Sequence, residues 1–340
     1  MRESQHTQWM DLMERARREN WPLLPSPPDE RDWPLSRLLE QTSVPPVVRY
    51  DHLVPFIPDQ GKCGSCVGQA GANILNTFFN SKGKLPDKGL SPLYIYARCK
   101  EEDGLPGVEG TFPRVALKVM QQEGACPEVM LPYPQLLGNC LKIPTITDAH
   151  KKAAEPYRIK AYARLWSLAE VKLALSAGKL VLAGIWVTES FAKWSGKGTI
   201  GLPDGSIYGG HGVMLCGHDD PKKGVIGPNS WGAGWGDKGF FWLSYDFCNW
   251  KNLDLGGMPA LMEAWAVELE QLPIAQTEEL IELWVDKPVA RVNGVEVWLD
   301  VPPRVINGRT LVPIRFVSES QGAQVDYIVS ERKIEIRRKN

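Results

Sequence analysis

The stretch Gln60-Gly61-Lys62-Cys63-Gly64-Ser65-Cys66-Val67-Gly68-Gln69-Ala70 constrains this chain more than any other. A glutamine stands six residues ahead of a cysteine, and that cysteine opens an amphipathic helix. Past Cys66 the apolar residues Ala70, Ile74, Leu75, Phe78 and Phe79 recur at helical spacing. Asn80-Ser81-Lys82-Gly83 supplies the stop. Cys66 therefore stands at the positive end of a helix dipole. That placement favours the thiolate, which is the nucleophilic form.

A nucleophilic thiolate needs a base, an orienter for that base and donors for an oxyanion. The chain has five histidines: His6, His52, His150, His211 and His218. Only His211 lies in a convincing context, Gly209-Gly210-His211-Gly212-Val213-Met214-Leu215, which reads as a glycine turn entering a buried strand. His218 precedes Asp219-Asp220-Pro221, a turn signal, and reads as an exposed loop residue. Downstream comes Gly227-Pro228-Asn229-Ser230-Trp231-Gly232-Ala233-Gly234-Trp235-Gly236.

These elements, in this order, resemble the papain-like cysteine peptidases, with their Cys-Gly-Ser-Cys signature, their glycine-flanked histidine and their Asn-Ser-Trp-Gly-x-Gly-Trp-Gly block. The resemblance implies Cys66 as nucleophile, His211 as its acid/base partner and Asn229 as the orienter of the imidazole. It implies Gln60 and the Cys66 N–H as oxyanion donors, with Trp231 covering the Asn–His hydrogen bond. Gly110 and Gly210 fall at substrate-binding positions. The sequence departs from the family at Val67, commonly Trp, at Gly210, often Asp or Asn, and at Pro228 ahead of Asn229. Other readings of Cys66 are weaker. A redox Cys-x-x-Cys pair needs neither the distant histidine nor the Asn-Ser-Trp-Gly block. A zinc site needs a second Cys/His pair at short spacing, which the sequence lacks. An inert core thiol asks several unrelated coincidences of one chain.

At 340 residues there is room for two domains or more. A net charge of −1 gives no pointer to nucleic acid or a charged membrane surface as main partner. No stretch is apolar enough for a bilayer span. The first residues lack the apolar core of a secretory signal. The seven cysteines point the other way, because removing the nucleophile leaves an even six. The family resemblance implies a Cys63–Cys99 bridge and a staple between Cys126 and Cys140, with Cys216 and Cys248 left over. Such bridges fit an oxidising compartment, secreted or at a cell surface. No cofactor or metal is expected.

Residues 1–58 read as a short polar helix followed by a proline-rich extended run, either a structural wrap or a pro-region. The helix over 4–19 carries Trp9, Leu12, Met13 and Ala16 on one face. The Pro-Asp-x-Arg-Asp run of residues 28–32 resembles the segment ahead of the mature domain in bacterial members of the family; it would lie across the cleft or along the back. Residues 59–272 read as the peptidase domain. Helices are expected after Cys66, from Ser91-Pro92, over Thr111–Gln122 and over Ser167–Ala177. Strands are expected at Lys179–Val187, His211–Gly217, Gly224–Ile226, Phe240–Tyr245 and Glu263–Leu269. The implied fold is α+β: a papain-like two-lobe arrangement, helical first and β-barrel-like second, with the site between the lobes.

Residues 278–340 change pattern again. Ile281–Val285, Ala290–Val292 and Val295–Leu299 read as strand plus hairpin around Asn293-Gly294. Pro302 to Glu319, then Gly322-Ala323 and two short strands, resemble the small α+β stalk domain named after the N-terminus of copper amine oxidases. There is no histidine after His218, so a copper site is not expected there. The implied partners are a cell-surface or protein contact for this domain and a protein or peptide substrate for the cleft. The expected function is a cysteine endopeptidase. An inactive papain-like binding module, or a transpeptidase or deamidase using the same residues, are the alternatives.

Overall fold

A computed structural model of the chain describes residues 3–19, 44–105, 107–134, 140, 142–204, 206–252, 258–269, 281–292, 295–320 and 323–338, together with 21, 23, 25–27, 29, 32, 34 and 35. It falls into two units, Met1–Ala275 and Gln276–Asn340.

The first unit begins with α1 (Glu3–Arg18), which buries Leu12, Met13 and Ala16, and the short strand β1 (Val47–Arg49). Helix α2 (Cys66–Ser81) is its centre. Every residue from Cys66 to Phe78 is buried, polar Gln69, Asn73, Asn76 and Thr77 included. The amphipathic pattern does not leave a wet face, because other helices and a sheet pack around α2. Helix α3 (Pro92–Glu102) starts as expected: Ser91 Oγ accepts from Tyr94 N at 3.1 Å, with Pro92 in the first turn. Helix α4 (Pro113–Gln122) ends ahead of Gly124, whose φ is +87°. A further short helix, α5 (Asp148–Ala154), is capped by Thr147.

The β part follows. Strand β2 (Ala161–Leu165) leads to α6 (Leu168–Ser176), capped by Ser167. The Ser167/Glu170 pair has the spacing of a capping box, but the box does not close, since the Glu170 carboxylate accepts from Trp166 N instead. Then come β3 (Val181–Thr188), α7 (Glu189–Ala192), β4 (Ile207–Leu215), β5 (Gly217–Asp219), β6 (Gly224–Pro228), β7 (Phe240–Ser244), α8 (Tyr245–Asn249), β8 (Lys251–Asn252), β9 (Met258–Pro259) and β10 (Leu261–Glu268). Two four-stranded antiparallel sheets result, ordered β2-β10-β3-β4 and β1-β5-β6-β7. β4 runs into β5 through Cys216, whose N–H donates to Ile226 O at 2.9 Å, so one stretch of chain turns the corner between the sheets. Among the described residues the strands do not close into a barrel; the β lobe is a pair of open sheets.

Trp186, Phe191, Phe241 and Trp265 are among the largest side chains fully buried in this unit. The sheet meets α2 at Gly212. A Cβ there would stand 3.0 Å from the Val67 backbone, so only glycine lets β4 press against the first turn of α2.

The second unit holds a three-stranded sheet of β11 (Ile281–Leu283), β12 (Val289–Val292) and β13 (Val295–Trp298). The pair β14 (Arg304–Ile306) and β15 (Arg309–Leu311) is followed by α9 (Ile314–Ser320) and the hairpin β16 (Ala323–Ile328)–β17 (Lys333–Arg338). The expected strands and closing hairpin are present; Asn293-Gly294 and Gly322 lie outside the described residues.

Candidate active site

Cys66 is the first residue of α2 and is 0% exposed. Its Sγ accepts a hydrogen bond from Gly212 N at 3.2 Å, across the gap between helix and sheet. His211, 1% exposed, is the adjacent residue on β4. His211 Nε2 donates to Asn229 Oδ1 at 2.8 Å. That bond leaves Nδ1 as the acceptor of the neutral ring. Asn229 Oδ1 also accepts from Ser230 N at 2.8 Å, so its amide is held from two sides. The Trp231 ring lies 5.1 Å from the imidazole at 35°, and Phe191 packs edge-on to Trp231 at 5.5 Å. These rings keep water from the His–Asn bond and strengthen it.

Gln60 is buried and tied down at four points. Its N–H donates to Ser230 O and its Nε2 to Cys63 O, both at 2.8 Å. Its Oε1 accepts from Ser230 Oγ at 2.5 Å, and its carbonyl accepts from Tyr133 Oη at 2.9 Å. Tyr133 Oη in turn accepts from Ser65 Oγ at 2.7 Å. Ser230 thereby fixes which end of the Gln60 amide carries the donors. Ser230, Tyr133 and Phe191 carry no sequence signal of their own; Ser230 alone sits inside the motif block.

Trp21 and Leu23 pack against the sheet that carries His211. Leu23 is 0% exposed and forms a parallel backbone bridge with Thr111, beside Gly110 at φ +80°. Its side chain touches Gly184 and Gly210, where a Cβ would come within 3.1 Å of it. Trp21, also buried, stands edge-on to Trp186 at 4.9 Å and over Gly209. Beyond Leu23, Ser26 N and Oγ donate to Glu263 Oε1 at 3.1 and 3.4 Å. Arg114 reaches Asp32 at 2.6 Å and Asp29 at 3.8 Å. Residues Pro28, Glu30 and Arg31 of the expected run lie outside the described residues.

Burial decides the charges. Burial pushes the Cys66 thiol up to about 12, against the pull of the Gly212 and Val67 N–H groups. Burial pushes His211 down to about 4, although its bond to Asn229 works the other way. The helix dipole alone favours a thiolate at Cys66; desolvation outweighs it here. Burial thus favours the neutral thiol and the neutral imidazole.

Two expectations are corrected. Cys63, Cys99, Cys126, Cys140, Cys216 and Cys248 are buried free thiols, not disulfides. Cys63 packs with Cys140 and Tyr96, whereas Cys99 and Cys126 belong to the main core. The Cys63–Cys99 and Cys126–Cys140 pairings are therefore absent. Cys140 instead lies within hydrogen-bonding reach of Cys63. His218 is not an exposed loop residue. It lies fully buried on β5, between β1 and β6, and burial lowers it to about 4. Among the described residues no group of His, Cys, Asp and Glu could hold a metal ion, and no helix is long and apolar enough to cross a membrane.

The family described as papain family cysteine protease matches residues 48–255. The chain belongs to this family. The copper amine oxidase N-terminal domain matches residues 263–336, starting within β10. An uncharacterized peptidase C1-like protein of Acanthamoeba polyphaga mimivirus is 27% identical over 212 residues, 57% of this chain and 66% of its own length. A cathepsin B-like protein of Giardia intestinalis is 30% identical over 209 residues, 56% of this chain and 65% of its own. The chain thus spans just under two thirds of these relatives. Xylellain, a cysteine protease from Xylella fastidiosa, is similar in structure with a TM-score of 0.61 and 25% identity, covering 74% of this chain and 97% of that one. The fold of the chain is papain-like, with a small C-terminal domain.

Proposed function

We propose that this chain hydrolyses peptide bonds in proteins or peptides by way of Cys66, and that Trp21 and Leu23 hold it latent. The observation that carries the reading is the meeting of Cys66, at the start of α2, with the His211–Asn229 pair on the facing sheets. With the cleft open to water and substrate, the desolvation that keeps thiol and imidazole neutral is relieved. The proton then passes from Cys66 to His211 Nδ1, and Asn229 holds the imidazolium at Nε2. The thiolate attacks the peptide carbonyl. The Cys66 N–H and the second N–H of Gln60 Nε2 take the developing oxyanion, while Ser230 keeps that amide from turning over. His211 gives its proton to the leaving amine, then takes one from water to release the acyl-enzyme.

Latency rests on the segment's position. Leu23 fills the apolar slot at Gly184 and Gly210, and its backbone occupies the edge beside Gly110 that an extended peptide would use. We read the C-terminal domain as a spacer or docking stalk. The test is hydrolysis of a denatured protein by chain from which residues up to 43 have been released by limited proteolysis. Cys66→Ala and His211→Ala are expected to lose several orders of magnitude. Near wild-type turnover in either variant overturns the reading.

A further inference from the structure

Gly64 stands two residues ahead of Cys66, and its N–H donates to Glu109 Oε2 at 3.1 Å. A Cβ at Gly64 would stand 3.1 Å from the Glu109 side chain and 3.1 Å from Gly110 N. Residues 109 and 110 therefore press directly on the loop that carries the nucleophile. The same stretch continues into Thr111, which forms the backbone bridge with Leu23. Passing from Thr111 back to Glu109 thus leads from Leu23 towards the Cys66 loop. Leu23 places its side chain against Gly184 on β3 and Gly210 on β4, on the sheet side. Successive side chains of an extended chain point to opposite sides. In a peptide lying along this edge, the residue one step nearer Cys66 than the Leu23 slot faces the wall made by Gly64 and Glu109.

Glu109 is half-buried, and among the described residues the Gly64 N–H is the partner of its carboxylate, with no lysine or arginine paired to it. The charges around it are matched elsewhere. Lys100 Nζ donates to Gly110 O at 3.0 Å and pairs with Asp103 at 2.7 Å. Lys118 pairs with Glu102 at 2.7 Å. Cys140 and Tyr96, which feel the Glu109 charge, stay neutral: burial pushes the Cys140 thiol up to about 12 and raises Tyr96 as well. We propose that Glu109 makes this chain select a basic residue, arginine or lysine, at the position whose carbonyl Cys66 attacks. The inference rests on the peptidase reading and adds a substrate class to it. The Gly64 N–H holds one carboxylate oxygen in place, and the other accepts from the incoming guanidinium or ammonium group. An acidic residue at the same position meets like charge and is rejected.

The full chain, with residues up to 43 released by limited proteolysis, is assayed on peptides that differ at one residue. Each carries leucine, then arginine, citrulline or glutamate at the cleaved bond. Citrulline keeps the shape of arginine without its charge. The kcat/KM for arginine is expected to exceed that for citrulline about tenfold or more, with glutamate lowest, and the advantage should shrink as salt is raised. Glu109→Gln keeps an acceptor for the Gly64 N–H, and the arginine/citrulline ratio is expected to fall to about twofold or less. Glu109→Lys should move the preference to glutamate. A role confined to holding Gly64 would lower all the peptides together and leave their ratios untouched. A ratio within about twofold in the unsubstituted chain, or an unchanged ratio in Glu109→Gln, overturns the proposal while leaving the peptidase reading in place. Failure to cleave any of the peptides or a denatured protein overturns both.

Discussion

Leu23→Ala should unmask the site. Leu23 is fully buried between Thr111, Gly184 and Gly210. Truncating a buried leucine to alanine costs about 2–5 kcal/mol, because the lost contacts and the residual cavity add. A middle value of about 3 kcal/mol, at about 1.4 kcal/mol per decade, raises the open fraction about 100-fold. The assay is the rate at which iodoacetamide alkylates Cys66, read by peptide mapping. Labelling needs the open form, so its rate follows the opening equilibrium. Titrating in low urea separates a local opening from global unfolding, since opening one segment exposes little surface and gives a shallow dependence. A Leu23→Ala rate within about twofold of wild type would refute the reasoning, because the segment would then not be what covers Cys66.

Other outcomes follow from the same geometry. Acid should open the covered site: in the closed form His211 titrates near 4, below its ordinary 6.5. In that window the open form binds a proton that the closed form refuses, so closure is fully favoured above pH 6.5 and weakens towards pH 4, by up to about 3 kcal/mol. Cys66 labelling that shows no rise in open fraction across this window, after correction for thiolate content, would contradict this. Gln60→Ala should lower kcat by about 100-fold or more with KM little changed, and Ser230→Ala should lower it less, through a misdirected Gln60 amide. Equal losses in KM would place both residues in substrate binding instead. On equilibration with oxidised glutathione, peptide mapping should find Cys63 linked to Cys140; a Cys63–Cys99 link would show the thiol neighbourhood to be wrong.

The residues of the candidate site were legible in the sequence where chemistry fixes residue type and spacing together. Cys66 at a helix start, His211 beside glycines at a strand, and Asn229 in the Asn-Ser-Trp-Gly block are local patterns that the fold brings together. The helix starts at Pro92 and Leu168 were legible for a similar reason, since Ser91 and Ser167 act on their own N-termini. What tertiary structure decides was not legible. Periodicity marks one face of α2 as apolar but cannot tell that helices and a sheet enclose the whole of residues 66–78. Asp219-Asp220-Pro221 signals a turn, yet β1 and β6 flank the strand that precedes it and bury His218. Cys63 lies beside Cys140, and no cysteine spacing encodes that. The packing of Leu23 against Gly184 and Gly210 is another such case. A proline-rich extended run has no periodicity to say which surface it follows.

The measurement that tests the account most directly is covalent trapping. An epoxide-type thiol inhibitor is added to the full chain at pH 5 and to Leu23→Ala, and adducts are located by mass spectrometry alongside peptide hydrolysis. The account predicts one adduct, on Cys66, whose formation tracks the loss of hydrolysis and which does not form in Cys66→Ala. Hydrolysis that survives full modification of Cys66, or an inactivating adduct on another residue, would contradict it.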